Sequence, residues 1–175
     1  MNIDFFKHIA LMVVLVLAHL LVLNYICLWG VAAPMMYLYV VSTLRRGYPK
    51  WGVLLWGFVT GIAIDTIQNT SGLVTASMTL VAAVQPYLLD MCAPREADEH
   101  MQVSLEEMGW SKMATYLLML VLVHCVTLFT LEFFSFYDPK RWALSIVGST
   151  AVTLLMLLAI ELAKGSGETH DAYYR

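Results

Sequence analysis

The chain has 175 residues, of which 60% are hydrophobic and 13% charged, and its mean hydropathy is +0.72; a soluble domain carries about 45–50% apolar and about 25% charged residues. That balance excludes a soluble catalytic domain and points to an all-α membrane protein. A net charge of −3 without a dense basic run also excludes nucleic-acid binding as the main role, since nothing is present to displace counterions from phosphates.

A spanning helix needs about 20 apolar residues, each adding about 1.5 Å, to cross about 30 Å of hydrocarbon. Segments 9–29, 30–44, 51–67, 73–92, 113–131 and 142–163 meet or approach that length, which predicts a six-helix transmembrane bundle over residues 1–164. The first follows Asn2, Asp4 and Lys7 and is too long for the apolar core of a cleavable signal peptide despite Ala32 and Ala33, so it reads as a retained anchor. His19 and Asn24 interrupt it, and His124 interrupts the fifth span. A lone membrane histidine reads as a neutral hydrogen-bonding group before it reads as a ligand. The second segment is the shortest, and Pro34 suits a helix start there.

The third segment is the most informative. Gly57, Gly61 and Asp65 recur every fourth residue and so share one helix face. Glycines at that spacing let another backbone approach closely, a main source of helix association in lipid. Asp65 lies roughly 21 Å along the axis from Trp51, just before the polar turn Gln68, Asn69, Thr70 and Ser71. A carboxylate at a helix C-terminus opposes the macrodipole, so it is expected to clasp the N-terminus of the next helix near Ser71 and Gly72. Contact with a partner, and ligand or proton handling, are the alternatives for a group that costs about 2.5–3.5 kcal/mol at the bilayer centre.

Pro86 should kink the fourth span and free a carbonyl. The following stretch, 93–112, sets Arg95 and Lys112 against Glu96, Asp98, Glu99, Glu106 and Glu107, a net of −3. It reads as a solvated linker with Leu105, Met108 and Trp110 resting on the interface, and alternatively as an acidic docking surface. Glu132 and Glu161 fall at span ends, where water is within reach, and the tail 165–175 reads as a flexible cytoplasmic segment.

Lys7, Arg45, Arg46, Lys50, Arg95, Lys112, Lys164 and Arg175 fall on one side of a six-span thread and Lys140 and Arg141 on the other, which places both termini in the cytoplasm. Cys27, Cys92 and Cys125 are far apart and suggest neither a disulfide framework nor a zinc site. No metal-ligand spacing, nucleophile elbow or phosphate-binding loop is present, so neither an enzyme nor a cofactor is expected.

The combination Gly57-Phe58-Val59-x-Gly61-x-x-x-Asp65, a polar turn ending at Gly72, and the helix start Val74-Thr75-Ala76-Ser77 resembles the bacterial rod shape-determining MreD family. Tyr48-Pro49-Lys50-Trp51, Gln85-Pro86-Tyr87-Leu88 and Leu131-Glu132-Phe133-Phe134-Ser135-Phe136 add to the likeness, which covers roughly positions 8–163. The resemblance implies an inner-membrane component of the cell-elongation machinery that works with MreC under the direction of MreB filaments. Together they support a SEDS-type peptidoglycan glycosyltransferase and a class B penicillin-binding transpeptidase. It also implies a fold similar to the six-helix substrate-binding subunits of energy-coupling-factor vitamin transporters.

Gly57, Gly61, Asp65 and Gly72 are the positions that match the family motif, with a structural or partner-facing role. On this reading the chain is a non-enzymatic scaffold that grips the membrane helix of MreC in a lipid-facing groove, with Gly57 and Gly61 as its expected lining. The competing reading is a small-molecule or lipid-binding subunit with Asp65, Asn69 and His19 facing a polar cavity open to the outer side.

Overall fold

The computed structural model describes residues 3–21, 34–94, 101–133 and 139–172, and every regular element among them is helical. In chain order these are α1 (Ile3–Leu21), a 3-10 turn (Met36–Leu38) running into α2 (Tyr39–Ser42), α3 (Lys50–Gln68), α4 (Leu73–Cys92), α5 (Leu105–Met108), α6 (Trp110–Glu132) and α7 (Pro139–Ala172). Four of them, α3, α4, α6 and the Pro139–Lys164 part of α7, are long and apolar enough to cross a membrane; His8–His19 of α1 is a shorter apolar stretch. Asn24, Cys27, the end of the first predicted span, the start of the second, and the stretches 95–100 and 134–138 lie outside the described residues.

Around an apolar core, the helices expose more large apolar side chains and bury more polar ones than a water-soluble bundle does. Leu54, Leu55, Phe58, Val59 and Ile62 of α3, Leu118, Leu122 and Val126 of α6, and Leu144, Val147 and Leu155 of α7 are exposed. Thr60, Ser77, Gln85, His124, Ser149, Thr153 and Glu161 face inward and are buried. Hydrocarbon solvates an apolar helix face as well as a protein core does, so packing and interhelix hydrogen bonds, rather than hydrophobic burial, decide which face turns inward. The observed distribution fits helices surrounded by lipid.

The chain winds α3 against α4, α4 against α6, and α6 against α7. His8 of α1 lies 5.8 Å from the Trp56 ring and His19 reaches Gln68, so α1 and α3 run in the same direction. The chain between them must therefore travel back along the bundle. The described part of that return is residues 34–46, and it differs from the spanning helix expected over 30–44. Helix covers 36–42 alone, about a third of the hydrocarbon thickness.

The reason lies in its surroundings. Met35, Tyr37, Leu38, Tyr39, Val40, Val41, Ser42 and Leu44 are all buried, enclosed by α1, α3, α4 and α7. Irregular backbone at membrane depth is tolerated only where protein satisfies its polar groups, and here side chains do so. Met35 N–H donates to Thr153 Oγ1 at 3.1 Å, Tyr116 Oη donates to the Ser42 carbonyl at 3.1 Å, and Gln85 Nε2 donates to the Leu44 carbonyl at 3.3 Å. The hydroxyls of Ser42 and Thr43 bond back to the Tyr39 carbonyl and end the helix. Tyrosines and adjacent valines are weak helix formers, so little local preference opposes this.

The described part of the linker after α4, from residue 101 on, is less solvated than a charged linker suggests. Met101, Val103 and Met108 are buried, and the Met101 carbonyl accepts the Arg46 N–H at 3.0 Å. Ser104 caps α5 by accepting the Glu107 N–H at 3.4 Å, one half of a capping box. Trp110 is exposed, consistent with an interfacial ring. Beyond the predicted end of the last span, α7 stays helical to Ala172, through most of the stretch expected as a flexible tail.

Candidate functional site

The α3–α4 hairpin holds the residues singled out in the sequence. On α3, Gly57 and Gly61 face α4 so closely that no side chain fits between the helices. A β-carbon on Gly61 would lie 2.5 Å from Thr75 Cα, and one on Gly57 would lie 2.6 Å from Ala82 Cβ and 2.8 Å from the Met78 carbonyl. The expectation that this stripe lines a lipid-facing groove is therefore corrected: α4 already occupies it. Each glycine removes the one carbon that would hold the two backbones apart.

One turn further on, Asp65 ties the same two helices together. Its Oδ1 accepts the Thr70 hydroxyl and the Val74 N–H (3.2 Å), and its Oδ2 accepts the Thr75 N–H (2.7 Å) and the Thr75 hydroxyl (2.5 Å). Val74 and Thr75 are the second and third residues of α4, whose N-cap, Gly72, supplies no side-chain bond. Asp65 thus takes the role of an N-cap from the neighbouring helix, satisfying orphan N–H groups and placing negative charge at the positive end of the α4 dipole. Among the expectations for Asp65, the structure shows the interhelix clasp.

The turn between the helices explains two more of the chosen residues. Asn69 closes α3 in the left-handed region at φ 55°, which Asn tolerates better than most residues, and its N–H bonds back to the Asp65 carbonyl. Gly72 starts α4 at φ 83°, yet a β-carbon there would meet nothing within 4 Å. Gly72 is required for its backbone conformation; Gly57 and Gly61 are required for space.

His19 sits elsewhere. It is buried, with Nε2 at 3.3 Å from Gln68 Nε2 and its ring edge-on to Tyr37 at 4.8 Å. Asp65 spends its oxygens on Thr70, Val74 and Thr75, and Asn69 is exposed in the turn. The hydrogen bonds of Asp65 thus run within the α3–α4 hairpin, and His19 meets the hairpin at Gln68.

Other polar residues do converge, around the short segment 34–46. Tyr37 Oη and His124 Nε2 are 3.0 Å apart, and Gln85 Nε2 donates to Tyr116 Oη at 3.1 Å. Tyr39 Oη donates to Glu161 Oε1 at 2.5 Å. Glu161 was expected to reach water from a helix end, but α7 runs on past it and the residue is 2% exposed, whereas Glu132 is exposed. The sequence signal was available: Tyr37, Tyr39, Ser42 and Thr43 are an unusual polar load for so short an apolar segment. The distant partners, His124 for Tyr37, Glu161 for Tyr39 and Tyr116 for the Ser42 carbonyl, are more than seventy positions away, so spacing could not identify them.

These contacts are expected to matter for stability. Tyr39→Phe should leave the Glu161 carboxyl buried without this donor and cost about 1–3 kcal/mol. Tyr39→Phe combined with Glu161→Leu should cost less than Tyr39→Phe alone, because the stranded group is gone. The midpoint of SDS-induced unfolding reads both, and a Tyr39→Phe midpoint equal to wild type would count against the bond.

Two concave surfaces flank the hairpin. One, of about 690 Å³, is an open apolar groove along the outside of α3 and α4, lined by Phe58, Ile62, Gly72, Thr75, Ala76, Thr79, Leu80 and Ala83. The other, of about 370 Å³, lies at the Lys50 end of the bundle and has a mixed lining in which Arg45, Arg46, Lys50 and Asp90 stand beside Val53, Pro86 and Leu89. Among the described residues, no three of His, Cys, Asp or Glu come together to hold a metal ion.

Comparison with protein-family models, with curated proteins and with solved structures finds no match. The functional reading therefore rests on the chain's own residues and geometry.

Proposed function

We propose that the chain is a non-enzymatic membrane scaffold of the MreD kind, which crosses the bacterial inner membrane six times and holds the single transmembrane helix of an MreC-like partner. In this reading it positions the wall-building glycosyltransferase and transpeptidase and transforms no substrate itself. The observation that carries the proposal is the groove on the outer face of the α3–α4 hairpin. Its floor is built from Gly72, Ala76, Thr79 and Ala83, a small-residue row at intervals of three and four, and Phe58, Ile62 and Leu80 stand beside it.

A row of that kind lets a second helix approach closely, which is how helices associate where water supplies no driving force. The groove lies one face away from the Gly57 and Gly61 stripe. The same hairpin that is sealed internally by glycines thus offers small residues externally.

Co-purification from membranes tests the proposal. Ala76→Leu with Ala83→Leu should fill the groove and lower recovery of the partner about tenfold, the equivalent of about 1–3 kcal/mol of lost packing, with membrane insertion intact. Val147→Leu, at an exposed position of α7, should leave recovery unchanged. Full recovery with the filled groove would sink the proposal.

A further inference from the structure

We propose that the pocket at the Lys50 end of the bundle binds the headgroup of an anionic phospholipid. The inference depends on the membrane-spanning helices and not on the scaffold reading. The pocket is built where the loop before α3 meets the last two turns of α4, and Arg45, Arg46, Tyr48, Lys50, Gln85 and Asp90 supply its polar lining. Two stretches distant in sequence contribute, with Tyr48 and Lys50 from one and Gln85, Pro86 and Asp90 from the other.

Two of the three cations have a defined contact. Arg46 Nε bonds Asp90 Oδ1 at 2.9 Å, which spans the pocket and fixes the loop against α4. Lys50 Nζ stands 4.7 Å above the Tyr87 ring, and Arg45 is exposed. Three cations against the Asp90 carboxylate leave the lining with a net charge of +2. Tyr48 is itself held, its Oη accepting the Trp56 Nε1–H at 3.3 Å and its ring covering Gly52, so the wall is preformed.

The pocket's depth and neighbours select a lipid over a free phosphate. α3 starts at Lys50 and α4 ends at Cys92, so the site lies at the plane where spanning helices leave hydrocarbon and phosphate groups of the bilayer reside. Val53, Pro86 and Leu89 make part of its wall apolar. Trp51, Tyr87 and Met91, beside it in the chain, are 71%, 62% and 64% exposed. Amphipathic rings belong at headgroup level, and exposed apolar groups beside cations suit the glycerol and upper acyl chain of a bound lipid. A phosphate ion from water would use none of them.

Native mass spectrometry of the full chain, released from micelles holding equimolar phosphatidylglycerol and phosphatidylcholine, tests the site. Each cation near an anionic surface favours the charged lipid roughly fivefold, so phosphatidylglycerol adducts should dominate about tenfold or more. Arg45→Gln with Lys50→Gln should bring the ratio close to one. Lys140→Gln with Arg141→Gln, the same charge loss at the opposite end of the bundle, should leave it unchanged.

Arg45 and Lys50 are exposed, and an unaltered SDS-unfolding midpoint should show that their variant folds. Equal retention of the two lipids by wild type would overturn the proposal. So would an equal loss in both double variants, which indicates general charge attraction. Displacement of phosphatidylglycerol by excess inorganic phosphate would assign the pocket to a soluble anion and overturn the lipid proposal as well.

Discussion

Gly61→Ala is expected to lower the protein's resistance to unfolding by about 1–3 kcal/mol, and Gly61→Leu to lower it further. The added carbon would lie 2.5 Å from the Thr75 Cα and 3.0 Å from the Thr75 N, both backbone atoms that cannot swing aside. The helices would have to separate, and with them the Asp65 bonds one turn away. Gly52 provides the contrast: its new carbon would meet the Tyr48 ring at 2.6 Å, a side chain whose displacement costs one hydrogen bond, to Trp56, and leaves both helix backbones in place. Gly52→Ala should therefore cost less than Gly61→Ala.

SDS-induced unfolding followed through tryptophan fluorescence reads this, since Trp51 and Trp56 are on α3 itself. A Gly61→Ala midpoint equal to wild type would refute the close approach of α3 and α4 at Thr75. The prediction also separates fold from partner binding. Large residues at Gly61 should act by destabilising the hairpin, whereas large residues at Ala76 and Ala83 should act on the outer groove with the hairpin intact.

Asp65→Ala is expected to cost about 2–4 kcal/mol. A hydrogen bond to a charged group contributes about 1.5–3 kcal/mol, and Asp65 accepts four of them, from Thr70, Val74 and both donors of Thr75. The loss falls below their sum because Thr70 and Thr75 are only partly buried and regain water. Asp65→Asn should recover little, since its amide would turn a donor toward donors.

Thr75→Val, which removes the hydroxyl bond and keeps the Thr75 N–H bond, should cost about 1 kcal/mol. Hydrogen exchange gives the local signature: the Val74 and Thr75 amides should exchange faster in Asp65→Ala than in wild type, because their acceptor is gone. Equal protection of those amides would show that the carboxylate does not cap α4. In a double-mutant cycle, Asp65→Ala and Thr75→Val should be strongly non-additive, as members of one network are.

The hairpin was legible because its determinants are local. Four-residue spacing puts Gly57, Gly61 and Asp65 on one face in any α-helix, and a carboxylate just before a polar turn has the next helix's N-terminus within reach. Sequence could not say which helix takes that face. Glycine spacing is the same for a contact within the chain and for one with a partner, and only the tertiary structure places α4 there. The outer groove was missed for the complementary reason, since the small residues of Gly72, Ala76, Thr79 and Ala83 gain meaning only once the inner face of α4 is known to be occupied.

Composition and run length by themselves determined that the chain carries helical segments near 51–67, 73–92, 113–131 and 142–163 that are long and apolar enough to cross a membrane, because the hydrocarbon thickness sets a minimum length that few other structures require. What tertiary structure alone decided is the fate of the polar residues within them. Glu161 faces Tyr39 instead of water, and residues 34–44 hold a short buried helix, with the Ser42 and Leu44 carbonyls met by Tyr116 and Gln85. In lipid every buried polar group needs a partner. Sequence shows that the need exists, and only the packing of distant helices shows which residue meets it.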